Sequence, residues 1–379
     1  MNTHIFIVGE QTFPIHLEYM FVGTGAKNKG VDFNNIPTSN LHHSSENGLV
    51  AMMADGARLR KDDNVIFYLQ AANGIEGKFY GIFKVLADGI FLEKNNEEQY
   101  LLPELDKSLI FRQQIYPYEV YSDGVTEWEA LDEIKNIPTP SQMLWSLIYR
   151  KLKGNRGNTM VTIYEAERLF DLIRRKNNLQ RIEGTGFTYD GNSIVLSNFP
   201  TKIYEGEKID INIFPRLKHK YSSYNAHEAH LQMYITQNIG KHTNQSLDEA
   251  IGVVNNEIEW LGNEVSCGVG MQRIDIMLSK VISQTERVIM PIELKCTIAN
   301  DNTVLQLYRY IDWVEQYYTP NRVSTIQPVL ICRHQESLTQ GVKDSFNIFN
   351  QSSINRFLPL LYIQYRIVEE NIIFNKIQY

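Results

Sequence analysis

Cysteine is scarce in this chain of 379 residues, and the three it has, Cys267, Cys296 and Cys332, are far apart and odd in number. No CxxC pair exists, which argues against a zinc knuckle and a disulfide framework and makes a reducing, cytoplasmic setting the expectation. No run approaches the roughly 18 apolar residues of a membrane-crossing helix, so no span is expected. The opening MNTHIFIVGE lacks the basic, apolar and small-residue succession of a secretory leader. "GTGAKNKG" (23–30) lacks the GxxxxGK[ST] spacing, so neither a phosphate-cradling loop nor nucleotide hydrolysis is implied. "HEAH" (227–230) lacks the i, i+4 histidine pair of a zinc protease helix, and His227 and His230 are expected on its solvent side. His42 and His43 lie in a polar stretch without a visible partner.

What is present is ordinary in bulk: hydrophobic residues make up 43% and charged residues 21%, as in soluble globular proteins. The length allows two or three domains. A net charge of −7 does not suggest nucleic acid, but its distribution is uneven. Residues 141–180 carry eight Lys/Arg (Arg150, Lys151, Lys153, Arg156, Arg168, Arg174, Arg175, Lys176) against three acids (Glu165, Glu167, Asp171). Such a block is either a phosphate-contact surface or a solvated helix face.

Along the chain, residues 1–125 read as a compact β-rich domain: "NVIFYLQ" (64–70), "KFYGIFKVL" (78–86) and "GIFLEK" (89–94) are aromatic and β-branched runs punctuated by Gly, Asn and Asp. Residues 126–204 read as a basic helical, winged-helix-like segment. It would hold helices over 142–153 and "IYEAERLFDLIRRKNN", then a hairpin turning near Asp190-Gly191. From 205 to 379, helices over 223–238 and 303–318 alternate with strands, including "QPVLICR" (327–333). The fold class expected is a multidomain α/β (α+β) protein with an α/β core at its C-terminal end.

The stretch "VIMPIELKCT" (288–297) raises a chemical question. Val288, Met290, Ile292 and Leu294 alternate as the buried face of a strand, while Glu293 and Lys295 share its other face. Residues i and i+2 of a strand point the same way, about 7 Å apart. "MQRIDIML" (271–278) has the same alternation, with Arg273 and Asp275 opposite Ile274, Ile276 and Leu278. A hairpin joining the two would set Asp275 beside Glu293 and Lys295. Two carboxylates suit Mg²⁺, a hard cation that prefers oxygen ligands, and Mn²⁺ can substitute. A lysine beside them can position water or stabilise charge building on a phosphate. Glu228 recurs with Tyr224, Leu231 and Ile235 on a helical stripe expected to face the core, and a buried carboxylate needs a partner. Gln306 and Tyr310 are one helical turn apart.

The order Glu228, Asp275, Glu293-Leu294-Lys295, Gln306-xxx-Tyr310 resembles the PD-(D/E)xK nuclease superfamily, more narrowly its RecB-like branch with the mismatch-specific endonucleases. The resemblance covers about residues 220–335. It implies that Glu228, Asp275 and Glu293 bind metal, that Lys295 is catalytic, and that Gln306 and Tyr310 line the DNA side of a restriction-endonuclease-like core. An ExK pair alone is common, and a bare surface Glu–Lys ion pair would be worth only about 0–1 kcal/mol. The added positions make the pattern specific.

"ARLRKDDNVIFYLQ…GKFYGIFKVL" (57–86) resembles the EVE branch of PUA-like domains, small β-barrels. The resemblance implies a reader of modified or flipped bases, with Phe13, Tyr19, Phe21, Tyr68, Phe79 and Tyr80 as the candidate base pocket. Two departures stand: Asp62-Asp63 replaces the usual Gly-Asp, and no Trp precedes Trp128. Residues 1–140 are also net acidic, with 11 basic against 20 acidic side chains.

The expectation is therefore a Mg²⁺-dependent DNA endonuclease, a restriction enzyme of host defence that reads modified bases and acts on double-stranded DNA. A double-strand break would call for a homodimer. Arg150, Lys151, Lys153, Arg156 and Arg273 are the candidate backbone contacts, which fix register without reading sequence. Two alternatives are a repair nuclease for mismatched or branched DNA, and a nucleic-acid-binding module in which the nuclease fold is structural.

Overall fold

A computed structural model of the chain describes residues 1–25, 43–72, 74, 76–93, 98–132, 157–254, 257–267, 272–319, 323–352 and 356–379. Its described residues up to 212 form one compact unit and those from 213 to 379 a second. No helix among them is long and apolar enough to cross a membrane.

The first unit is built on a mixed sheet. Strands β1 (Thr3–Val8), β2 (Phe21–Thr24), β3 (Asn64–Leu69), β4 (Lys78–Val85), β5 (Phe91–Leu92), β6 (Phe111–Pro117), β7 (Val125–Thr126) and β8 (Asn158–Val161) belong to it. After the β9–β10 hairpin (Phe187–Tyr189, Ile194–Leu196), β11 (Ile209–Asp210) joins it as well. The order is β11-β5-β6-β4-β3-β1-β8, with β2 also on β6 and β7 on β4. β1 runs parallel to β3, and the other pairings are antiparallel.

Residues 126–204 do not form a separate winged-helix-like segment where they are described. β8 pairs with β1. The helix Ile163–Lys176 buries Leu169, Leu172 and Ile173 with Ile5, Ile66, Tyr68 and Phe79. Phe187, Tyr189 and Ile194 of the hairpin pack with Phe13, Phe67 and Tyr80. The reason is amphipathicity: a single helix and a two-stranded hairpin cannot bury their apolar faces alone. The helix opens with a capping box, in which Thr162 Oγ1 accepts from the Glu165 N–H at 3.2 Å and Glu165 Oε2 from the Thr162 N–H at 2.8 Å. One acid of the basic block is thus spent as a cap. The helix predicted over 142–153 lies outside the described residues.

The departure from Gly-Asp at 62–63 has a structural rationale. Asp62 has φ 68°, the left-handed region that glycine enters freely and Asp tolerates. Asp63 is the hub of the strand entry, accepting from the Asn2 N–H at 2.8 Å, the Arg60 N–H at 2.9 Å and His4 Nε2 at 3.0 Å.

The second unit is a seven-stranded sheet with helices on both faces. β12 (Ile258–Ser266), β13 (Arg273–Val281) and β14 (Glu286–Lys295) form an antiparallel meander. β15 (Val323–Ile326) and β16 (Val329–Arg333) then pair parallel with successive halves of β14. β17 (Leu361–Val368) and β18 (Asn371–Lys376) complete the order β12-β13-β14-β16-β17-β18. A proline in a central strand normally costs a ladder hydrogen bond. Pro291 falls between Ile289, the last partner of β15, and Ile292, the first of β16, where that ladder is already interrupted.

On one face Ile276, Leu278, Met290, Ile292, Leu294, Val329 and Ile331 pack with Leu231 and Ile235 of the helix Glu228–Asn238. Against β14, Tyr310 and Gln306 of the helix Leu305–Tyr317 bond to the alternate residues Glu293 and Lys295. Phe346 and Phe349 of the helix Gln340–Gln351 stack on Tyr362 and Tyr308, with ring centroids 5.1 and 4.7 Å apart. The helix expected over 223–238 starts only at Glu228 and runs to Asn238, with a separate helix, Phe214–Ser222, ending before it. Their break turns the residues before 228 out of phase with the stripe.

Candidate active site

Period-2 alternation makes β13 and β14 apolar towards Leu231 and Ile235, so their other residues face away from that core. The register sets Ile276 opposite Ile292, which places Asp275 next to Glu293 at the carboxyl end of β14. Asp275 Oδ2 accepts the Leu294 N–H at 2.8 Å. Glu293, 1% exposed, holds Lys295 Nζ on Oε1 and accepts from the Tyr310 hydroxyl on Oε2 at 2.7 Å. Lys295 Nζ also donates to Gln306 Oε1 at 3.1 Å. Gln306 and Tyr310 reach both charged groups because they lie one turn apart on the helix crossing β14. Five residues that sequence analysis put together are therefore joined by direct hydrogen bonds or by strand register.

Glu228 joins from the other side. Its Oε1 accepts the Cys296 N–H at 3.4 Å, one residue past Lys295. It is not the buried stripe residue expected, because it is exposed as the first residue of its helix. His227 and His230, expected towards solvent, are 1% and 0% exposed. The helix begins at 228, which sets its phase. His227 Nδ1–H donates to the Asn225 carbonyl at 2.7 Å, leaving Nε2 to accept from the Tyr365 hydroxyl at 2.7 Å. Burial holds this ring's pKa below the ordinary histidine value, so it stays neutral.

The electrostatics are those of crowded carboxylates. Burial, then the charge of Glu293, pushes the Asp275 carboxyl well above the usual range; Glu228 adds to this, while the Leu294 N–H and Lys295 oppose it. For Lys295 burial works against the ammonium but is outweighed by Glu293, Glu228 and Asp275, and its pKa is raised. Burial and Glu293 raise the Tyr310 hydroxyl, which donates as a neutral phenol.

In donor chemistry Asp275, Glu293 and Glu228 fit a hard divalent cation: all are oxygen ligands, and mutual repulsion at Asp275 is what a cation would relieve. Each carboxylate keeps lone pairs beyond the hydrogen bonds described. As placed they do not form a ligand cage, since among the described residues no three His, Cys, Asp or Glu side chains are positioned to hold a metal ion.

The other candidates fare differently. Arg273 lies near Asp275 but its guanidinium is paired with Glu264, a competitor for any phosphate. Arg150, Lys151, Lys153 and Arg156 lie outside the described residues. Of the described part of the basic block, Arg174 pairs with Glu119 at 2.9 Å and Lys176 with Glu129, so these cations brace the first unit. The base pocket does not hold: Phe13, Phe21, Tyr68, Phe79 and Tyr80 are each 0% exposed, and Tyr19 alone is partly open. Phe13 is closed in by Phe67, Tyr80 and Tyr189, with centroids 5.1–5.3 Å away. These aromatics are core.

Sequence analysis missed Arg333, Tyr221 and Tyr365, which gather near the carboxyl end of β14. The available signal was the polar "CRH" closing β16, level with Lys295 once a parallel pairing is assumed.

No family model matches the chain, and no curated protein matches it. Among solved structures it is similar to a hypothetical protein from Leishmania major, 12% identical with a TM-score of 0.29, over 47% of this chain and 95% of that one. It is also similar to human THYN1 protein in complex with 5-methylcytosine-containing DNA, 12% identical with a TM-score of 0.26, over 45% and 97%. The DUF55 domain of human thymocyte nuclear protein 1 matches at 12% identity and a TM-score of 0.24, over 47% and 99%. Likenesses this low carry no argument about what the chain does.

Proposed function

We propose that the second unit is a metal-dependent nuclease that hydrolyses phosphodiester bonds in DNA. The observation that carries this reading is the meeting of Asp275, Glu293, Lys295, Gln306 and Tyr310 at one strand end, from two strands and a helix. Asp275 and Glu293, with Glu228, are the residues to hold Mg²⁺ or Mn²⁺. Such an ion, when bound, lowers the pKa of a bound water and neutralises charge on the phosphate.

The chain's own groups do the rest. Lys295 presents its ammonium beside the carboxylates, where it orients the attacking water and stabilises charge on the phosphoryl oxygens. Glu293 anchors Lys295, and Tyr310 fixes Glu293. Gln306 holds Lys295 from the helix. Water attacks phosphorus and gives up a proton to solvent as the new P–O bond forms, the P–O bond to the leaving oxygen breaks, and that oxygen takes up a proton from solvent. In this reading the first unit selects the target, and the enzyme serves restriction of foreign DNA, modified bases being one feature read. One such site cuts one strand, so a double-strand break takes two copies.

The test is cleavage of phage DNAs differing only in cytosine modification, with Mg²⁺, Mn²⁺ or EDTA, comparing the wild type with Glu293→Ala. Fragments that require both metal and Glu293 are expected. A second reading, a DNA-binding module with an inert nuclease fold, has two observations in its favour: both Glu293 oxygens are already engaged, and no three-ligand cage is formed among the described residues. It predicts intact DNA under every metal and binding indifferent to Glu293→Ala. Cleavage confined to mismatched duplexes would place the activity in repair.

A further inference from the structure

The helix Phe214–Ser222 ends in a Schellman motif. The Asn225 N–H donates to the Lys220 carbonyl at 3.0 Å and the Tyr224 N–H to the Tyr221 carbonyl at 3.3 Å. The residue between must turn left-handed, a place normally given to glycine or asparagine. Here it is Tyr224, at φ 55°. Its ring gains no burial in return, being 82% exposed. Residues held in sparsely populated backbone conformations cluster at functional sites.

What the ring touches is a cation. The Arg333 guanidinium lies 3.8 Å from the Tyr221 ring centroid and 4.2 Å from that of Tyr224, and it donates to the Tyr221 carbonyl at 3.2 Å. Three planar groups are thus gathered with Arg333 in contact with both rings. They stand near the candidate active site: the Arg333 N–H donates to the Thr297 carbonyl at 3.0 Å, two residues past Lys295, and Tyr224 lies four residues before Glu228.

We infer that Tyr224, backed by Arg333, is a stacking platform for an unpaired base of the nucleic-acid strand entering this site. The inference rests on the nuclease reading and adds a substrate feature to it: a single-stranded nucleotide beside the cut. An exposed aromatic next to a cation suits such a strand, because every base offers a π-face and every linkage a phosphate. Rigid duplex, whose bases are stacked on one another, offers nothing for the ring to take.

The experiment measures binding in EDTA of two fluorescent DNAs, a blunt duplex and the same duplex with a short single-stranded extension, by anisotropy. Wild type is expected to prefer the extended duplex. Tyr224→Gly should remove that preference, weakening binding of the extended duplex by about 5- to 150-fold with the blunt duplex unchanged. Tyr224→Phe should keep it. Since glycine is the natural residue at this turn, the melting temperature of Tyr224→Gly should not fall, which separates lost stacking from lost folding. Equal affinities of wild type for both DNAs, equal weakening of both in Tyr224→Gly, or no change overturns the inference. Cleavage of the same DNAs by wild type in Mg²⁺ is scored separately. Cleavage without a Tyr224 effect leaves the nuclease standing and removes the platform; a Tyr224 effect without cleavage does the reverse.

Discussion

Asp63 in the first unit and Asp275 in the second are both carboxylates drawn into strand-rich interiors, yet their surroundings treat them in opposite ways. Asp63 is met by donors: two backbone N–H groups and the His4 ring. Burial works against its charge, but His4 and those N–H groups outweigh it and its pKa is lowered. Asp275 is met by one N–H and the Lys295 ammonium, but burial and the charges of Glu293 and Glu228 outweigh them and its pKa is raised. A fold that only needed stability would neutralise or replace such a crowd. The difference teaches that burial alone says little about a carboxylate's role. The sign of its neighbours separates a brace from a site.

The largest effect expected on this contrast is on the second unit. Lys295→Ala should lower single-turnover cleavage by about 10³-fold, while Asp63→Ala should leave the rate per folded molecule intact. Comparable losses from both variants would erase the distinction. Next comes stability: Asp63→Ala strips partners from buried donors and should cost about 3 kcal/mol in urea unfolding. Smaller and opposite in sign, Asp275→Asn should relieve like-charge crowding and raise stability by about 1 kcal/mol while cleavage falls. A variant that is both less stable and inactive would mean that Asp275 is a brace after all.

The smallest effect is a pH dependence. Burial holds the His4 pKa below its ordinary 6.5. Its unfolded form therefore takes up protons first, and stability falls as pH drops below about 6.5. Asp63, with its lowered pKa, adds a further loss in the acid range. Replacing His4 with Gln should flatten the melting temperature between pH 7 and 5, and an unchanged slope would refute the assignment.

Much of the candidate site was legible because it rests on local periodicity. Two strands alternating apolar and charged give Asp275, Glu293 and Lys295 one location, while Gln306 and Tyr310, one turn apart, join them in sequence only through the resemblance to the nuclease superfamily. The hairpin near Asp190-Gly191 was equally readable: Asp190 Oδ1 accepts the Asn192 and Ser193 N–H groups at 2.9 Å, and Gly191 has φ 99°. Glu228 was found for a reason that failed. No glycine or proline marks the break at 223–227, so the stripe was carried through a turn that in fact inverts the exposure of Glu228, His227 and His230.

The sequence by itself determined which residues share a strand or helix face, since backbone geometry makes that a matter of spacing. Only the tertiary structure decided what those faces meet. Arg174 and Lys176 read as a basic surface until Glu119 and Glu129 were brought to them from more than 40 residues away. The resemblance alone makes the first unit's aromatics a pocket, and the Phe187–Leu196 hairpin packed on Phe13 and Tyr80 decides for core. Tyr224, which the sequence places on a core-facing stripe, is exposed, and it meets Arg333, more than 100 positions away, only because a parallel ladder carries β16 alongside β14. Long-range pairing is set by burial and register across the whole sheet, and no local window of residues contains that information.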